Sequence, residues 1–137
     1  MTTSQEKADA VREYERHSMG SDSFHSTLSN MLVYTDGIFT LAETCGCFWL
    51  IDLVVSHQPY IAQHGSKANF QVWEIRKVGD LCEISCWSDT PRAGDSEDGP
   101  GSVCMATQTL EYTDFPPELM PFEFWVENGM MMLKAER

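Results

Sequence analysis

The apolar and polar positions of this chain change rhythm partway along. Before Asn69 the apolar residues recur at helical spacing; from Asn69 onward they alternate. The densest apolar run is Cys45-Gly-Cys-Phe-Trp-Leu-Ile-Asp-Leu-Val-Val55. Wound as a helix, it has Phe48, Ile51 and Val55 on one stripe, Trp49 and Leu53 on a second, Leu50 and Val54 on a third. A helix apolar on every side must be covered on every side. The run falls short of the ~20 residues that span a bilayer. The pattern therefore predicts a buried central helix, stopped at Pro59.

Ahead of it, Ser4 to His17 reads as an exposed helix with a thin stripe of Ala8, Val11 and Tyr14. Its Glu13 and Arg16 sit at i,i+3 and support each other. Met19 to Ser23 is a break. Phe24, Leu28 and Leu32 are spaced i, i+4, i+8, which predicts a second helix from Phe24 to Leu32. Thr35-Asp36-Gly37 is a turn whose Thr or Asp can cap a helix from Ile38 to Thr44, with Gly46 ending it.

The alternating half begins with a strand, Phe70 to Val78, rich in β-branched and aromatic residues. Gly79-Asp80 is a hairpin turn. Leu81 to Trp87 follows, with Cys82, Ile84 and Cys86 on one face and Leu81, Glu83, Ser85 and Trp87 on the other. Residues 88–102 are polar, Gly- and Pro-rich, and read as a loop. Val103 to Tyr112 is a third strand, Phe115 to Leu119 a turn or single helical turn, and Pro121 to Glu127 a fourth strand. Asn128-Gly129 turns the chain into Met130 to Leu133.

Helices followed by strands predict an α+β fold. The simplest assembly is a four- to five-stranded antiparallel meander with the N-terminal helices packed on it. Residues 1–20 read as a charged helix or arm. Residues 21–137 read as a single domain with an acidic loop at 88–102. The length fits one domain, and 15 aromatic residues supply material for its core.

Charge adds the first functional hint. The net charge is −12, which argues against direct binding to nucleic acid or to an anionic membrane. Between Val78 and Leu133 a single basic residue, Arg92, faces eleven acids: Asp80, Glu83, Asp89, Asp95, Glu97, Asp98, Glu111, Asp114, Glu118, Glu123 and Glu127. The first residues lack the pattern of a signal peptide. Five scattered cysteines fit reduced thiols better than a disulfide framework. Together these features predict a cytoplasmic protein.

Three segments carry a resemblance: Tyr34-Thr-Asp-Gly through Leu41-Ala-Glu to Trp49-Leu-Ile-Asp52, then Phe70-Gln-Val-Trp73, then Thr113-Asp-Phe-Pro116. In that order they resemble a bacterial family classed only as a domain of unknown function. The family likeness implies no activity. Small proteins of this kind are common on phages and other mobile elements, which implies a bacterial host cell as the setting.

Chemistry-bearing residues are few. Cys45-x-Cys47 is too short for the usual zinc spacing. Cys82 and Cys86, four apart on one strand, lie about 13 Å from each other at ~3.3 Å per residue. Both pairs read as small buried hydrophobes. His17, His25, His57 and His64 sit in no motif that fixes a catalytic geometry. Asp52, inside an apolar helix, is expected to be buried and hydrogen-bonded internally. Met120, Met130, Met131 and Met132, beside Trp125, read as core filling or as an adaptable docking surface. No catalytic residue, metal or cofactor is predicted.

The expectation is a non-enzymatic binding protein whose eleven acids face a basic groove on a partner. That partner is a nucleic-acid-handling host protein, such as a defence nuclease or a CRISPR effector complex, which the protein would inhibit by mimicking nucleic acid. The alternatives are a small enzyme or metal protein using the Cys/His set, and a structural module that self-associates as a homodimer.

Overall fold

The computed structural model describes residues 3–17, 24–27, 32–88, 103–111, 113 and 115–136. The fold is α+β. Helix α1 is Ser4–His17, followed by strands β1 (Phe24–Ser26) and β2 (Val33–Thr35), then helices α2 (Asp36–Cys45) and α3 (Phe48–Ile61). Strands β3 (Phe70–Val78), β4 (Leu81–Trp87), β5 (Cys104–Leu110), β6 (Phe122–Glu127) and β7 (Met130–Leu133) complete one seven-stranded sheet, ordered β1-β2-β7-β6-β3-β4-β5.

Local chemistry accounts for most boundaries. The Thr3 hydroxyl accepts the Glu6 N–H and the Glu6 carboxylate accepts the Thr3 N–H, a reciprocal capping box that starts α1. Thr35 caps α2 by accepting the Ile38 N–H at 3.3 Å. Gly46 ends α2 at φ 65°, a left-handed conformation that favours glycine. At the β6–β7 hairpin Asn128 and Gly129 both take positive φ, as a tight turn between right-twisted strands requires.

The three helices pack on one side of the sheet. Ala8 and Val11 of α1, Ile38 and Leu41 of α2, and Leu50 and Val54 of α3 share one buried cluster with Trp73, Ile75, Ile84, Phe124 and Met131. Trp73 and Phe124, directly paired across β3 and β6, stack at 6.0 Å with their planes 8° apart. Gln71 secures α3 to the sheet. Its amide trades hydrogen bonds with Gln58 at 3.1 and 2.9 Å, donates to the Ala68 carbonyl and accepts the Trp73 indole N–H at 3.0 Å. Every polar atom of this buried amide is satisfied, the condition under which such a group stabilises a core.

Five expectations need correction. The sheet is mixed and seven-stranded, not a four- to five-stranded antiparallel meander. β6 lies beside β3 instead of β5, and β2 runs parallel to β7. β1 and β2 have three residues each, too few to show an alternation. Second, Phe24 begins strand β1 and no helix; the helical spacing to Leu32 is coincidental, and Leu28 lies outside the described residues. Third, Pro59 does not stop α3, which continues to Ile61. In the last turn the missing N–H forfeits one helix bond, and the Gln58 amide donates to the Val54 carbonyl at 3.1 Å nearby. Fourth, α3 is not covered on all sides. Leu50, Ile51, Leu53, Val54 and Ile61 are buried, while Phe48 is 44% exposed and Ser56 is exposed. Fifth, Asp52 is exposed, so no internal partner is required of it. Among the described residues, no helix is long and apolar enough to cross a membrane.

Candidate binding surface

The second face of the sheet carries the side chains that alternate with the core. Register places them in rows. Trp87, Val72, Trp125 and Met132 are successive cross-strand neighbours on β4, β3, β6 and β7. Val72 is fully buried although it belongs to this face, because an indole stands on either side of it. Each indole N–H is bonded two residues back along its own strand. Trp87 donates to the Ser85 hydroxyl and Trp125 to the Glu123 carboxylate, both at 3.1 Å. Both rings are half-buried and fixed in orientation.

Carboxylates border this aromatic row. On one side, Glu74 pairs across the strands with Glu123, and Arg76 with Glu83. Directly opposed like charges repel. Arg76 and Lys134 relieve the strain: Arg76 Nε sits 3.9 Å from Glu74 and 3.0 Å from Glu83, and Lys134 Nζ is 3.7 Å from Glu123. Its hydrogen bond to Glu83 raises the pKa of Arg76 further. On the other side of the row, Glu127 lies opposite Phe70 and Met130. Phe70 meets Trp125 edge-on at 5.5 Å.

The predicted acids divide accordingly. Glu83, Glu123 and Glu127 share the open face, joined by Glu74, which the sequence reading passed over. Asp80, in the β3–β4 turn, and Glu111, just after β5, are both exposed and flank a small cleft with Lys77. Glu118 serves the interior instead. Its carboxylate accepts the Ser4 hydroxyl at 2.7 Å and its backbone carbonyl accepts a guanidinium N–H of Arg12, which ties α1 to residues 117–119. Asp89, Asp95, Glu97, Asp98 and Asp114 lie outside the described residues, as does most of the 88–102 loop.

Four of the cysteines and two of the histidines are built into the fold, while His17 and His64 are exposed. Cys45, Cys47, Cys82 and Cys86 are buried. A hydrogen bond from Cys47 holds the Cys45 thiol below its ordinary range, and the same contact with burial pushes Cys47 far above it. Burial alone raises Cys82 and is the main cause for Cys86. His57 bonds the Gln108 amide oxygen at 2.8 Å and packs against Trp73. His25 bonds Asp36 at 2.9 Å, its ring stacked between Tyr34 and Phe39 at 5.1 and 4.8 Å. His17 meets Glu13 on the exposed side of α1. Among the described residues, no three His, Cys, Asp or Glu side chains converge as metal ligands.

The first two of the segments that carry the resemblance thus have structural work. In Tyr34-Thr-Asp-Gly37, Tyr34 stacks on His25, Thr35 caps α2, Asp36 holds His25, and Gly37 leaves room for an incoming carboxylate from Glu136. In Phe70-Gln-Val-Trp73, Gln71 and Trp73 serve the core while Phe70 and Val72 serve the open face.

Searches of curated proteins and of solved structures return no match. At the level of family a match spans nearly the whole fold: over residues 11–137 the chain fits the Family of unknown function (DUF6876), and it belongs to that family.

Proposed function

We propose that this is a non-enzymatic binding protein that uses the open face of its sheet to occupy a basic surface on a partner protein. One observation carries the proposal. The row Trp87–Val72–Trp125–Met132 is bordered by Glu74 and Glu123 on one side and Glu127 on the other, with Glu83 one row beyond Glu74, all on the face opposite the helices. Rigid aromatic side chains supply contact area at low entropic cost, and tryptophan is enriched among residues that dominate binding energy. The surrounding carboxylates, on a chain of net charge −12, favour a partner rich in Lys and Arg and speed its approach.

Surfaces that handle nucleic acid have that character, so a nuclease or nucleoprotein complex, such as a defence nuclease or CRISPR effector in a bacterial host, is the partner class proposed. The buried thiols give no comparable support to a Cys/His enzyme. The test is affinity capture from bacterial lysate with the wild-type protein and with an E74K/E127K variant. Recovery of a nuclease or nucleoprotein complex by the wild type alone, weakening as salt rises, supports the proposal. Equal recovery by both proteins contradicts it. A D95K/E97K/D98K variant shows in the same assay how far the 88–102 loop contributes.

A further inference from the structure

The exposed side of α3 forms one wall of a second feature, separate from the open face. Trp49, Asp52, Leu53 and Ser56 follow one another at i, i+3, i+4 and i+7, so they share one side of the helix. The opposite wall is Gln108 and Leu110 of β5. The cleft between them has a volume of about 550 Å³, inside the ~300–1,000 Å³ range of small-molecule sites. It also has their character, with apolar walls from Trp49, Leu53 and Leu110 and a few polar groups between.

Asp52 is the only ionisable group among the described residues lining this cleft. Among the described residues it has no hydrogen-bond or ion-pair partner. Its side chain is exposed, and no contact within the described residues holds it. It is the fifth residue of α3, beyond the first turn where the helix dipole favours an acid, and aspartate is a weak helix former. Yet it stands within the Trp-Leu-Ile-Asp segment, three residues from an indole.

Two polar groups set further terms. The Ser56 hydroxyl donates to the Leu53 carbonyl at 2.7 Å, which leaves its oxygen able to accept. His57 takes the Gln108 amide oxygen, which leaves the Gln108 amide nitrogen to donate into the cleft's surroundings.

We infer that this cleft binds an organic cation with a hydrocarbon stem and a carbonyl acceptor, the chemistry of an arginine or lysine residue, either free or within a polypeptide. The carboxylate of Asp52 forms a charge-assisted hydrogen bond to the cationic head. The Trp49 indole adds the attraction of an aromatic ring for a cation. Leu53 and Leu110 take the stem, and the Gln108 amide serves the carbonyl. The cleft lies on the helix-bearing side of the sheet, so the inference does not depend on the sheet-face proposal.

The chain has four tryptophans, and their indole N–H signals in a ¹H–¹⁵N spectrum report separately on each region. Titrating N-acetyl-arginine methylamide shifts the Trp49 signal and leaves Trp73, Trp87 and Trp125 in place. N-acetyl-citrulline methylamide, the neutral isostere, binds at least ten-fold more weakly. Asp52→Asn, on an exposed side chain, keeps the fold and also costs ten-fold or more in affinity for the arginine probe. Equal binding of citrulline, unchanged affinity in Asp52→Asn, or a still Trp49 signal at saturating probe would overturn the inference. A Gly-Gly-Arg-Gly-Gly peptide separates the sources. Ten-fold tighter binding than the single residue assigns the site to a polypeptide, and equal binding assigns it to a free small molecule; either result upholds the cation site.

Discussion

Glu136 closes over the backbone of Gly37. Its carboxylate accepts the Gly37 N–H at 3.2 Å, the Thr35 hydroxyl at 2.6 Å and the Leu133 N–H at 3.0 Å. One side chain near the end of the chain thus joins the first turn of α2 to the end of β7. It also places a negative charge at a helix N-terminus, where the dipole favours it. A Cβ on residue 37 would overlap that carboxylate.

Gly37→Ala should therefore destabilise the protein by about 1 kcal/mol, although alanine is ordinarily the better helix former by a similar amount. Glu136→Ala should cost about 1–2 kcal/mol. The double variant should cost clearly less than the two single effects together, because both remove the same contact. Urea denaturation of the four proteins checks this; strict additivity would show that the residues act separately.

The buried amide of Gln71 makes a second prediction. Gln71→Leu keeps the volume but takes the acceptor from the Trp73 indole N–H and the Gln71 donor from the Gln58 amide oxygen and the Ala68 carbonyl. Each orphaned group costs about 1–3 kcal/mol, so a loss of roughly 2–4 kcal/mol is expected. Replacing both Gln58 and Gln71 with leucine should recover part of it, since the Gln58 amide is then no longer left behind, while the Trp73 indole and the Ala68 carbonyl still lose their bond to residue 71. The comparison uses the same urea curves.

Much of this architecture is legible in the sequence, and the exceptions share a cause. β3 and β4 announce themselves through alternation, and Gly79-Asp80 and Asn128-Gly129 through turn chemistry, because these signals are local. The capping role of Thr35 is equally local. By contrast, β2 is held in the sheet by β7, far along the chain, β1 joins only through β2, and three residues carry no period. The function of Gly37 depends on Glu136, 99 positions away. The exposure of Asp52 is hidden from the sequence for a related reason. The helix is apolar enough to be read as wholly enclosed, but nothing in its own sequence says that β5 stops short of covering one side. Of the candidate acids, strand parity fixes Glu83, Glu123 and Glu127, while the turn of Glu118 toward α1 needed the tertiary contact with Ser4.

pH offers a third check. Burial raises the pKa of the half-buried Glu15 above its ordinary value, and Arg12 only partly offsets this. A carboxyl group whose folded pKa is raised is charged at a cost in the native state. The native state then binds more protons than the unfolded chain, so stability falls as pH rises through that range. Glu15→Gln should raise stability slightly at pH 7, within about 0.5 kcal/mol. The gain should vanish below about pH 4, where glutamate is protonated in both states. Thermal melts at the two pH values measure it, and a gain that persists in acid would point to a cause other than charge.

The central claim is that the open sheet face receives a basic partner, and the indole signals test it directly. Nona-arginine, a defined polycation, is titrated into ¹⁵N-labelled protein at two salt concentrations. The account predicts shifts at Trp87 and Trp125 that weaken with added salt and are lost in E74K/E127K, with the core Trp73 unmoved. Signals from Trp87 and Trp125 that stay fixed while the polycation binds elsewhere would contradict it.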